Sequence, residues 1–96
     1  MALTERSEND KIEVVGQYKA VQVRRATVIE RDGVEVSRSF HRHVLKPGTV
    51  AEGTSTLTDT DISGEDADVQ AICNAAWTDE VKEAWRLKLV EDAEAS

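Results

Sequence analysis

The stretch Val21-Gln22-Val23-Arg24-Arg25-Ala26-Thr27-Val28-Ile29-Glu30-Arg31-Asp32-Gly33-Val34-Glu35-Val36-Ser37-Arg38-Ser39-Phe40-His41-Arg42-His43-Val44-Leu45 decides the fold. Two β-prone runs, Val21 to Glu30 and Val34 to Leu45, meet at Asp32-Gly33. Asp-Gly between such runs is a strong hairpin signal, because tight hairpin turns demand a positive φ that glycine accepts. A long antiparallel hairpin is therefore expected. Lys19, Arg24, Arg25, Arg31, Arg38, Arg42 and Lys46 lie on or beside it, so it holds most of the positive charge of a chain whose formal net charge is −7.

Register decides which side chains face inward, and two registers compete. If Asp32-Gly33 is a two-residue turn, Ile29 opposes Val36, Arg25 opposes Phe40 and Val21 opposes Val44; one face then collects Val21, Val23, Ile29, Val36, Phe40 and Val44. If Arg31-Asp32-Gly33 is a three-residue loop, Val28 opposes Val36 and Ala26 opposes Arg38. The first gathers more apolar side chains and is preferred. In both, Arg38 and Arg42 share a side with Phe40, their aliphatic stems lying over the sheet and their guanidinium groups reaching outward.

Before the hairpin, Ile12, Val14 and Val15 form another extended segment, and Gly16 reads as a bulge or turn. A three-stranded antiparallel meander over residues 11–47 follows. Residues 1–10 are polar and acidic, with Glu5, Glu8 and Asp10 against Arg6. They read as a flexible arm, mobile or ordered by a partner. After Pro47-Gly48, residues 48–62 are rich in Thr, Ser and Asp and read as an exposed loop.

Ser63 followed by Gly64-Glu65-Asp66 signals a helix cap, and a helix is expected from Glu65 to Ala76, with Val69, Ile72, Cys73 and Ala76 on one face. Thr78-Asp79-Glu80 starts a second helix with the stripe Val81, Trp85 and Leu89. Trp77 should set the angle between the two, Trp85 is expected in the core, and Glu91 to Ser96 should fray. The fold class is α+β: a three-stranded β-meander packed against two short C-terminal helices, residues 63–96, with 11–92 a single domain.

A chain of 96 residues is one domain with little room for an enclosed cavity. It hides only about 60 to 65% of its unfolded surface, so association is a natural source of further stability. The single cysteine, Cys73, excludes an internal disulfide and a zinc site of paired thiolates, and its apolar helical setting suits a passive core thiol. No apolar run approaches the roughly 20 residues that span a bilayer, and the start lacks a basic and apolar signal. Synthesis in the cytoplasm, or incorporation into a particle assembled there, is expected. Charge is polarised: residues 11–47 hold eight basic and four acidic side chains, residues 48–96 three basic and twelve acidic. Such asymmetry favours either polyanion binding or head-to-tail association of copies.

Three constellations bear on chemistry. His41 and His43 point to one side of a strand, but two imidazoles are too few for a metal without Asp59, Asp61 or a second subunit. Asp59-Thr60-Asp61-Ile62-Ser63-Gly64-Glu65 resembles the opening of a calcium loop, yet Gln70 stands where the bidentate glutamate belongs. The arginines of the ribbon could follow phosphates, but the net charge and the lack of a basic helix argue against nucleic acid. No phosphate loop, nucleophile elbow or Ser-His-Asp set is present, so neither an enzyme nor a cofactor is expected.

Lys11-Ile12-Glu13-Val14-Val15, Val21-Gln22-Val23-Arg24, Ala26-Thr27-Val28-Ile29-Glu30, Asp32-Gly33-Val34-Glu35-Val36-Ser37-Arg38-Ser39-Phe40-His41-Arg42-His43, Val69-Gln70-Ala71-Ile72-Cys73, Trp77-Thr78 and Glu80-Val81-Lys82 resemble small uncharacterised proteins of tailed bacteriophages encoded among structural and tail genes. The similarity spans nearly the whole chain except the Thr-rich loop. It implies a virion or tail-associated structural protein, made in the host cytoplasm, whose partners are other phage structural proteins and copies of itself. Arg24, Arg38, His41, Arg42 and His43 are the expected interaction surface. The alternative is a cytoplasmic accessory or assembly chaperone for a phage or host protein, and the third reading a nucleic-acid-binding β-ribbon.

Overall fold

The computed structural model describes residues 2–95. Three long strands, β1 (Leu3–Val15), β2 (Ala20–Arg31) and β3 (Val34–Leu45), form an antiparallel meander in the order β1-β2-β3. A small hairpin of β4 (Gly48–Val50) and β5 (Leu57–Asp59) follows, then α1 (Ala67–Ala76) and α2 (Asp79–Ala95). The expected α+β meander with two C-terminal helices is the observed architecture.

The hairpin turns where the Asp-Gly signal places it. Asp32 and Gly33 both have positive φ, 51° and 83°, the pair of values that a two-residue type I′ turn requires. Arg31 then faces Val34. One step further the preferred register fails: Glu30 faces Glu35 but Ile29 faces Ser37, because Val36 is an extra residue bulged out of β3. From there to the base, pairing is displaced by one, with Ala26 opposite Phe40, Arg25 opposite His41 and Val21 opposite Leu45. Phe40 and Val44 thus leave the side occupied by Val21 and Val23, and the single apolar face expected from that register does not form.

Residues 3–10 are not a flexible arm. They continue β1 and pair with β2 from Leu3 opposite Arg31 to Asn9 opposite Arg25, Asp10 being the extra residue of a second bulge before Lys11 meets Arg24. Even Ala2 is tied in, its carbonyl accepting the Asp32 N–H at 3.1 Å. The physical reason is that β2 offers a complete row of backbone partners, which outweighs the polar composition of this segment. Residue 1 of the expected arm, like Ser96 at the other end, lies outside the described residues. Gly16 is a turn rather than a bulge, with φ 80° and its carbonyl accepting the Lys19 N–H.

The core lies at the base of the sheet. Val21 and Val23 pack with Val69, Cys73 and Trp77, flanked by Ile12, Leu45, Ile62, Ile72, Ala76 and Val81. Trp77 donates its indole N–H to the Lys19 carbonyl at 2.8 Å, so its one polar atom is satisfied as the ring is buried. Trp85 is only half-buried: it stacks obliquely on Tyr18 and donates to the Gly48 carbonyl, fastening α2 to β4 rather than filling the core.

Local signals shift at the helix ends. α1 begins at Ala67, after Asp66, and Ser63 does not cap it; the Ser63 N–H donates instead to the Asp61 carboxylate. Thr78 does cap α2, its hydroxyl accepting the Val81 N–H. The expected fraying from Glu91 is replaced by helix as far as Ala95. Within residues 48–62, read as loop, Gly48–Val50 and Leu57–Asp59 pair.

Only the base of the sheet is covered. The long axis is 59 Å and the radius of gyration 17.7 Å, against about 12 to 13 Å for a compact chain of this length. Of the five glycines, Gly48 has the closest surroundings: a Cβ there would lie 2.6 Å from the Thr58 carbonyl oxygen and 2.9 Å from Leu57 Cγ. Gly48→Ala should cost roughly 1–3 kcal/mol by overpacking, read as a lower urea midpoint, whereas Gly64→Ala, with open space at its Cβ, should change the midpoint far less. Equal midpoints for the two variants would contradict this packing.

Candidate interaction surface

β2 alternates its side chains between two environments. Val21, Val23 and Arg25 face the helices; Gln22, Arg24, Ala26 and Val28 face away, onto what is here called the outer face. Ala26 and Val28 are fully buried there although no helix covers them. Their cover comes from neighbouring strands: Phe40 and Glu8 flank Ala26, and Arg38 and Arg6 flank Val28. Long charged side chains can shield apolar surface with their stems while the charged ends stay in water.

Above this floor the charges form a continuous series. Arg6 Nε donates to Glu30 at 2.9 Å and Arg6 Nη1 to Glu8 at 2.8 Å. Glu8 lies 3.9 Å from Arg38 Nη1, and Arg38 grips Glu35 through Nε at 3.2 Å and Nη2 at 2.7 Å. The series crosses all three strands. Beside it, Arg24 clasps both oxygens of Asp10 at 3.0 and 2.8 Å, so the bulge that releases Asp10 from the ladder also aims its carboxylate at the guanidinium. Arg24 and Arg42 lie 4.5 and 5.7 Å from the Phe40 ring centre. Arg42 has no carboxylate within ion-pair distance among the described residues. It lines, with Lys11, Glu13, Gln22, Arg24 and Val44, an open cleft of about 430 Å³.

The helix side differs. Arg25 donates to Asp66, just before α1, at 2.9 Å and to Asn9 at 3.2 Å, and Asn9 donates to Asp66 and Asp68. His43 Nε2 lies 2.9 Å from Glu65 Oε1, and the His41 and His43 rings are 6.3 Å apart. These contacts anchor the ribbon to the start of α1.

The five residues expected to form one surface are therefore divided: Arg24, Arg38 and Arg42 on the outer face, His41 and His43 on the other. Sequence reasoning missed Arg6, Glu8, Asp10 and Glu35 as their partners. The signal was available in the alternation of Thr4, Arg6 and Glu8, which places opposite charges on one side of a strand. Among the described residues, no three His, Cys, Asp or Glu side chains converge on a metal position. Asp59 pairs with Lys82 at 3.3 Å while the Asp61 carboxylate accepts the Ser63 N–H at 2.9 Å, so the two carboxylates of the calcium-like stretch are engaged separately. No helix among the described residues is long and apolar enough to cross a membrane. No protein-family model, curated protein or solved structure matches this chain.

The Arg24 guanidinium holds the Asp10 carboxyl below its ordinary range, and Arg38 does the same to Glu35. A carboxyl with a lowered folded pKa stabilises the fold above its unfolded pKa, and that contribution is lost as pH falls toward the folded value. Stability should therefore decline on acidification below the ordinary carboxylate range. Asp10→Asn should lower the urea midpoint at neutral pH and flatten the decline; an unchanged midpoint with an unchanged pH profile would show that the Asp10–Arg24 clasp contributes nothing.

Proposed function

We propose that this chain is a non-enzymatic structural protein of a phage particle, virion- or tail-associated, working by protein–protein assembly through its sheet. The observation that carries the reading is the shape: strands of 13, 12 and 12 residues run far beyond the two helices that cover their base, leaving both faces of the tip and both sheet edges exposed. Extended sheet of this kind is a liability for an isolated protein and a binding element for an assembling one. The accessible surface, 6484 Å², exceeds by about 1,000 Å² the value of about 5,500 Å² for a compact chain of this mass. Leu3, Val34, Val36, Phe40 and Val44 are all exposed along the ribbon.

Arg6, Arg24 and Arg38 are committed to carboxylates, which disfavours a phosphate-binding ribbon. The satisfaction of that network within one copy favours a second reading, an accessory or assembly chaperone in the host cytoplasm that docks on one phage or host protein.

Quantitative mass spectrometry of purified particles of the encoding phage tests the proposal. Many copies per particle are expected. Absence from particles, with the protein abundant in infected cells, would reject the virion role and leave the accessory one.

A further inference from the structure

We infer that copies of this chain join edge to edge, the outer edge of β3 pairing in parallel with the outer edge of β1 of the next copy, staggered by two residues. The inference rests on the assembly reading and names the surface through which it works. Among the described residues, β1 and β3 each have a single strand neighbour, so alternate backbone N–H and C=O groups along both outer edges point away from the sheet. β3 contains neither proline nor lysine, the residues that commonly blunt such an edge.

The two edges differ in charge. β1 carries Glu5, Glu8, Asp10 and Glu13 against Arg6 and Lys11; β3 carries Arg38 and Arg42 against Glu35, with Lys46 just beyond. Both strands are antiparallel to β2 and therefore run the same way. Copies related by a rotation combined with a short translation along the strand direction would meet with β3 beside β1 in parallel, one strand offset against the other.

The charges also select a register. Arg42 and Lys11 both lie level with Arg24, and Arg38 and Arg6 with Val28. An unstaggered junction would thus set Arg42 beside Lys11 and Arg38 beside Arg6, like against like. Sliding the incoming β1 by two residues sets Glu13 beside Arg42, Glu8 beside Arg38 and Arg6 beside Glu35, all on the outer face. The same shift brings Val15 beside Val44, which are 41% and 51% exposed in the single chain. Arg42, without an intrachain carboxylate, gains one, and Lys11 comes beside Phe40. Two-fold pairing of β3 with itself about Phe40 would instead oppose Arg38 and Arg42. The excess surface of about 1,000 Å² is comparable with the roughly 800 Å² that each partner contributes to a standard interface. Since the junction uses different edges, each copy retains one free edge until a ring closes or a filament grows.

Sedimentation velocity on Arg42→Glu, on Glu13→Arg, and on their equimolar mixture tests the junction. Each substitution alone sets like charges face to face and should weaken association by roughly tenfold. Mixing restores opposite charges at both junctions of an alternating array and should recover wild-type association. Circular dichroism checks that the variants are folded. Should a swap unfold the chain, Val44→Glu and Val15→Lys give the same single-versus-mixture comparison. Wild-type protein that associates while the single variants associate equally well, or while the mixture stays dissociated, would overturn edge pairing but leave assembly standing. Wild-type protein that stays monomeric would overturn it too, and assembly with another protein would then be decided by the particle measurement.

Discussion

The structure depends on how little apolar material its one doubly paired strand must share between two faces. Among the described residues, β2 is the only strand with neighbours on both sides, and it contributes four of the seven buried hydrophobic residues: Val21 and Val23 toward the helices, Ala26 and Val28 toward the outer face. Because side chains alternate along a strand, these two pairs cannot share a face unless a bulge intervenes on β2 itself. None does; the bulges fall on the neighbours, at Asp10 and Val36. The core is consequently confined to the base, where α1 and Trp77 meet Val21 and Val23, and the rest of the sheet projects without helical cover.

Charge does at the tip what apolar packing does at the base. Solvent-exposed ion pairs add little to stability, so the series Glu30, Arg6, Glu8, Arg38, Glu35 is better understood as setting alignment. A one-residue slip of β1 or β3 would carry their charged side chains to the opposite face, away from these partners and from the floor that the arginine stems cover. The Asp10 bulge fits this role: it leaves the ladder where Arg24 can take both carboxylate oxygens.

Much of this was legible in the chain. Asp32-Gly33 located the turn, the valine-rich runs located β2 and β3, and Thr78 located the start of α2. The displaced register was not legible, because a bulge at Val36 replaces no hydrophobic residue with a polar one and leaves the pattern of either strand unchanged. Residues 3–10 read as an arm because Thr4, Glu5, Arg6, Ser7, Glu8 and Asn9 carry no apolar alternation; their strand conformation comes from backbone partners on β2 and cross-strand charge. The division of the candidate surface followed from strand periodicity at β3 alone, since Arg38 and Arg42 alternate with His41 and His43. What lies across from them, on β1 and before α1, needed the fold.

The ribbon is ordered to its tip and open along both edges. Residue-resolved amide hydrogen exchange on dilute protein examines this most directly. Consecutive slow amides along β2, and alternating slow and fast amides from Leu3 to Val15 and from Val34 to Leu45, are the predicted pattern. Unprotected exchange throughout residues 3–9, with β2 protected only at alternate positions in its distal half, would contradict it.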